Sequence, residues 1–121
     1  MTARADAIIR KLETSLTPLG AFRSRPMFGG HGLYLDGLFI GIVDDEILYL
    51  KADAESRADF EAAGMQPFTY ASRGRRIALS FWEAPADVIE DPQELHRWVT
   101  AALRAASRAH TPPRRGRKSA C

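Results

Sequence analysis

The sequence predicts an α+β fold in two layers, an antiparallel five-stranded sheet with helices packed on it, in the order α-β-β-β-α-β-β-α. Apolar residues recur at helical spacing near both ends of the chain. Between them, Asp36-Gly37 separates two runs of strand-forming residues, and Arg73-Gly74 separates two more.

The first segment, TARADAIIRKLETSLTPLG, lines up Ala5, Ile8, Ile9, Leu12 and Leu16 on one stripe, and Pro18 and Gly20 end the helix. From Gly32 the period becomes that of a strand. GLYLDGLFIGIVDDEILYLKAD holds three apolar runs divided by Asp36-Gly37 and by Asp44-Asp45-Glu46, a three-stranded antiparallel meander. Asp-Gly suits a two-residue type I′ turn, whose central residues both need positive φ. That turn pairs Leu35 with Leu38, Tyr34 with Phe39 and Leu33 with Ile40. A three-residue second turn then sets Ile42 opposite Leu48 and Ile40 opposite Leu50. One face becomes aliphatic, with Leu33, Leu35, Leu38, Ile40, Ile42, Leu48 and Leu50, and requires helices over it. The other carries Tyr34, Phe39, Gly41, Val43, Ile47, Tyr49 and Lys51, which is too apolar for a plain solvated surface.

DAESRADFEAAG reads as a short helix, with Asp53 as N-cap and Gly64 just past the C-cap. QPFTYASRGRRIALSFWEAP is a second hairpin, with Phe68-Thr69-Tyr70 outbound, a turn at Arg73-Gly74 and Ile77 to Trp82 returning. EDPQELHRWVTAALRAASR is the clearest helix. Asp91, Pro92 and Glu94 take N-cap, first-turn and capping-box positions, while Leu95, Trp98, Val99, Ala102, Leu103 and Ala106 make an unbroken stripe. After His110 the chain turns Pro-, Gly- and Arg-rich, so residues 1–110 are expected to form one domain and 111–121 a disordered basic tail.

Of 121 residues, 45% are hydrophobic and 26% charged, the balance of a soluble globular domain. No apolar run reaches the roughly 20 residues needed to span a bilayer, and the N-terminus lacks a signal-peptide pattern, so a cytoplasmic location without membrane contact is expected. Cys121 is the single cysteine, which excludes an internal disulfide and a thiolate cluster within one chain. His31, His96 and His110 show no metal-ligand spacing, and no cofactor is expected. Four of the 17 basic residues, Arg114, Arg115, Arg117 and Lys118, lie in the acid-free tail, so the body itself is mildly acidic.

The stretch RSRPMFGGHGLYLDG concentrates glycine around His31. A phosphate-cradling loop joins a strand to a helix whose amide dipoles point at the anion, whereas this stretch follows a helix and opens a strand. Gly29, Gly30 and Gly32 are better read as permitting a tight turn, a bulge or a close backbone approach. His31 has no evident orienting carboxylate or nucleophile in the sequence, so no catalytic residue is assigned.

The same residues carry a resemblance. MFGGHGLYLDGLFIGIVDDEILYLKAD, then DFEAAGMQPFTY and RIALSFWEAP…DPQELHRWV, look like the N-terminal domain of the TfoX/Sxy proteins, bacterial regulators of DNA-uptake competence. Met27, Phe28, Gly29 and Gly30, the strand from Leu48 to Lys51 and the run from Pro67 to Tyr70 are its most specific pieces. The resemblance implies a non-enzymatic domain with a secretion-chaperone-like fold, in a setting that regulates transcription of competence genes. This sequence departs from the full-length members in lacking their second, C-terminal helical domain, so a stand-alone version is expected.

Three functions compete at this level. A protein-interaction or regulatory module would use the apolar face of Tyr34, Phe39, Val43, Ile47 and Tyr49, covered by an unidentified protein partner or by a twin in a homodimer, unless the terminal helix folds over it. Weak, non-specific nucleic-acid binding would use Arg73, Arg75 and Arg76 with the tail cations Arg114, Arg115, Arg117 and Lys118. A small-ligand binder or enzyme would group His31, Arg25 and Tyr34 around the glycines.

Overall fold

The computed structural model describes residues 3–27 and 30–110, without side-chain detail at residues 3–5, 27, 70–72, 76–79 and 110. The basic tail, with Arg114, Arg115, Arg117 and Lys118, lies outside the described residues, as do Phe28 and Gly29. Helix α1 is Ala3–Leu16, followed by a 3-10 turn at Thr17–Leu19. The strands are β1 Phe22–Met27, β2 Gly30–Leu35, β3 Leu38–Asp44, β4 Ile47–Lys51, β5 Pro67–Ser72 and β6 Arg75–Glu83. Helix α2, Arg57–Ala62, stands between β4 and β5; a 3-10 turn at Ala86–Glu90 leads into α3, Pro92–His110.

The sheet has six strands in the order β1-β2-β3-β4-β6-β5, every neighbouring pair antiparallel. The expected count of five omits β1. Its residues, Phe22-Arg23-Ser24-Arg25-Pro26-Met27, lack apolar alternation because β1 is an edge strand, where charge and proline are tolerated.

The Asp36-Gly37 turn forms as expected, with φ of 52° and 81°. Asp36 Oδ1 also accepts a 2.8 Å bond from the Ala21 amide, while Ala21's carbonyl accepts one from the Asp36 amide, tying the turn to the start of β1. The next turn differs from expectation. Asp44 pairs with Ile47, so the turn is two residues, Asp45 and Glu46, at φ of 51° and 64° without any glycine. A bulge also interrupts β3: Tyr34 pairs with Phe39, but Leu33 pairs with Gly41, leaving Ile40 as the extra residue.

Those two departures change the faces of three residues, Gly41, Ile42 and Val43. A one-residue insertion inverts side-chain parity downstream. Val43, expected on the aromatic side, therefore packs in the main core at 1% exposure, and Ile42, expected on the aliphatic side, joins the aromatic cluster. Gly41 accommodates the bulge, since a Cβ there would sit 2.7 Å from the Tyr49 carbonyl oxygen.

All three helices lie on one side of the sheet. Ile8, Leu12 and Leu16 of α1, Phe60 of α2 and Leu95, Trp98, Val99, Ala102 and Ala106 of α3 form one core with Leu33, Leu35, Ile40, Val43, Leu48 and Leu50. Phe60 anchors it edge-on to Trp98, ring centres 4.9 Å apart. Asp91 caps α3 as expected, its carboxylate accepting from the amides of Gln93 and Glu94. His96 Nε2 donates to the Ser15 carbonyl at 2.6 Å, satisfying an orphan acceptor in the last turn of α1. Asp53 organises the turn before α2, accepting from the amides of Glu55 and Ser56, while Ser56 is the N-cap position of the helix proper. Gly64, at φ 77°, ends α2 with bonds from Gly64 N to Glu61 O and Met65 N to Phe60 O, a Schellman motif.

Candidate functional site

With the helices confined to one side, the opposite side of the sheet is an aromatic surface without a helix over it among the described residues. Terminal helix α3 does not fold across it, because the α3 stripe is already committed to the aliphatic core. At its centre Ile42, Phe68 and Phe81 are buried, with Phe39 and Tyr49 partly buried against them. The rings meet in two groups: Tyr34 stacks on Phe39 at 5.1 Å and Phe39 meets Phe81 at 4.7 Å, while Tyr49 meets Phe68 edge-on at 4.8 Å. Lys51 extends over Phe81, its Nζ 5.2 Å from the ring centre, and donates to Ser80 Oγ at 2.6 Å.

Strand pairing explains the assembly. Residues directly opposite one another share a face, and the ladder sets Tyr34 beside Phe39, Ile42 beside Tyr49 and Lys51 beside Phe81. Tyr34, Phe39, Ile47 and Tyr49 remain partly exposed. Burial holds the Tyr49 hydroxyl above its ordinary pKa, reinforced by the carboxylates of Glu83, Asp44 and Asp45, so the ring stays neutral and its acidic surroundings are marked. Of the five residues expected on this face, Tyr34, Phe39, Ile47 and Tyr49 are at the aromatic side and Val43 is not. Ile42, Phe68 and Phe81 belong to it and were not expected there. Alternation within the second hairpin was the available signal for the two phenylalanines, and Gly41 was the signal for Ile42.

The other expected residues scatter. Arg73 and Arg75 are exposed at the tip of the β5–β6 hairpin, where Arg73 and Gly74 take φ of 54° and 75°. Arg76 follows on β6, its side chain outside the description. Met27 closes β1 opposite Gly30. Gly30 is required by close packing: a Cβ there would lie 2.1 Å from the Val43 carbonyl oxygen. His31 pairs with Val43 and so faces the helix side, its Nδ1 buried without a hydrogen-bond partner among the described residues. Arg25 pairs with Gly32 and Tyr34 with Phe39, which puts both on the aromatic side. The sheet thus separates His31 from the two groups expected to join it in a ligand pocket.

Among the described residues there is no cluster of three or more His, Cys, Asp or Glu able to hold a metal ion, and no helix long and apolar enough to cross a membrane. A cleft of about 400 Å³ between α1 and β4 has an apolar floor that includes Ile8 and Leu48. Two of its lining residues, Lys11 and Glu90, already neutralise each other in a 2.8 Å ion pair.

Residues 14–106 match the family described as the TfoX N-terminal domain. The chain is also similar to a protein of Aliivibrio fischeri called DNA transformation protein TfoX1, 29% identical over 85 residues, which cover 70% of this chain. It spans 41% of that relative's length.

Proposed function

The chain belongs to the TfoX N-terminal domain family, and from that premise we propose that it is a non-enzymatic regulatory module acting by protein contact in the control of DNA-uptake genes. The observation that carries this reading is the sheet with helices on one side only, which leaves the rings of Tyr34, Phe39 and Tyr49 partly exposed on the other. Aromatic residues ringed by charge form the anchors of many protein interfaces. The separation of His31 from Arg25 and Tyr34 supports the non-enzymatic part.

The test is complementation. A host strain deleted for this gene receives the parent, Tyr34→Glu or Ile47→Glu, and transcripts of DNA-uptake genes are measured. The parent restores the deleted strain, whereas the two variants, folded by circular dichroism, do not. Full complementation by both folded variants would falsify the assignment of function to this face.

A second reading has a smaller observation behind it, the exposure of Arg73 and Arg75 at one hairpin tip. Together with Arg114, Arg115, Arg117 and Lys118 they supply phosphate contacts of low specificity. Binding of this kind weakens steeply with salt and falls when residues 111–121 are deleted. Equal retention of duplex DNA before and after the deletion counts against it.

A further inference from the structure

We propose that the occupant of the aromatic face is a second copy of this chain, seated face to face about a two-fold axis running along the strands. This rests on the face being an interaction surface and adds what covers it. The register places Arg25, Gly32, Ile42, Tyr49 and Glu83 side by side across β1, β2, β3, β4 and β6. One row therefore begins with a cation and ends with a carboxylate, four strand spacings or about 19 Å apart. Arg23, beside Tyr34, extends the basic end; Asp44, with Glu83, makes the surroundings of Tyr49 acidic. Arg23 and Arg25 are exposed, Asp44 and Glu83 half-buried, and none of the four makes an ion pair among the described residues.

Such a row is complementary to its own reverse. A two-fold axis along the strands and near Ile42 reverses the order across the sheet while keeping strands aligned, as in sheet-on-sheet packing about 10 Å apart. Arg25 of each copy then meets Glu83 of the other, Ile42 meets its twin, and the Tyr49 ring of each approaches the side-chain-free backbone of Gly32. An axis across the strands would instead stack like charge on like, which is repulsive. Charge thus selects both the partner and the orientation.

Three proteins test it by sedimentation velocity from about 1 to about 200 µM: the parent, Arg25→Glu and Glu83→Arg. The parent self-associates, and each variant alone, carrying one sign at both ends of the row, associates at least tenfold more weakly. Mixing the two variants in equal amounts restores association, because each then meets its complement. Circular dichroism confirms that both variants fold, and a conservative Glu83→Gln change gives an intermediate weakening if either does not. A parent that stays monomeric throughout the range overturns the proposal, as does a mixture no better associated than its components. A monomeric parent would leave the complementation experiment to decide the interaction reading separately, since that experiment reads dependence on the face whatever covers it.

Discussion

Replacing Gly30 by alanine tests whether the glycine pair shapes backbone. The new Cβ would lie 2.1 Å from the Val43 carbonyl oxygen and 3.1 Å from the Asp44 Cα, both backbone atoms that cannot rotate away. Restoring an ordinary carbon–oxygen contact requires β2 and β3 to part by about 1 Å at this end, which stretches a ladder bond of about 2.9 Å beyond hydrogen-bonding range. Two such bonds at about 1 kcal/mol each, with the overpacking strain, give a cost of about 3 kcal/mol. The control is Gly37→Ala, where nothing lies within 4 Å and only the φ of 81° is unfavourable; its cost is about 1 kcal/mol. Urea unfolding followed by the fluorescence of Trp82 and Trp98 measures both costs, and in thermal unfolding the Gly30 variant should melt on the order of 10 °C below the parent. If Gly30→Ala costs no more than Gly37→Ala, steric approach is not why glycine stands there, and a ligand-related role for the stretch returns.

Val43→Ala should cost about 2–3 kcal/mol and Ile47→Ala under about 1 kcal/mol, because the bulge turns Val43 into the core and leaves Ile47 partly exposed; equal losses in urea unfolding would contradict that parity. The Asp53 carboxyl is lowered to about 2, first by the hydrogen bond from Arg108, whose Nε lies 2.6 Å from Oδ2. A carboxylate depressed in the folded state stabilises above its unfolded pKa near 3.9, and that stability is lost as pH falls from about 4 toward 2. Arg108→Ala should return Asp53 toward the ordinary carboxylate value in an NMR titration and flatten the acid loss, the effect being screened because the pair is open to solvent; an unmoved titration refutes the pairing. Asp91→Ala should remove about 1 kcal/mol by uncapping α3, read from the urea midpoint at constant slope.

How far the sequence discloses this molecule depends on whether a feature is recorded locally. Helix α3 is legible because Asp91 supplies the cap and the stripe from Leu95 to Ala106 supplies the face, both within one stretch of chain. The turn at Asp36-Gly37 is legible for the same reason. Strand β1 is not, since its pairing with β2 comes from the neighbour and its own residues obey the rules of an edge. The candidate face lies between these cases. Tyr34, Phe39 and Tyr49 follow from alternation, yet assigning Val43 and Ile42 to faces depends on counting through the bulge at Ile40 and a glycine-free turn at Asp45-Glu46. Gly41 is the local trace of that bulge, because a glycine inside a strand signals crowding that a side chain would prevent. The same inversion that removes Val43 from the surface puts Ile42 into the row between Arg25 and Glu83. With the expected register, Gly41 would have stood between Gly32 and Tyr49 in that row and Ile42 would have pointed into the helices. The inserted residue thus leaves the charges at the two ends of the row as they were and replaces a glycine by an isoleucine at its centre, which gives the two-fold contact an apolar side chain to bury.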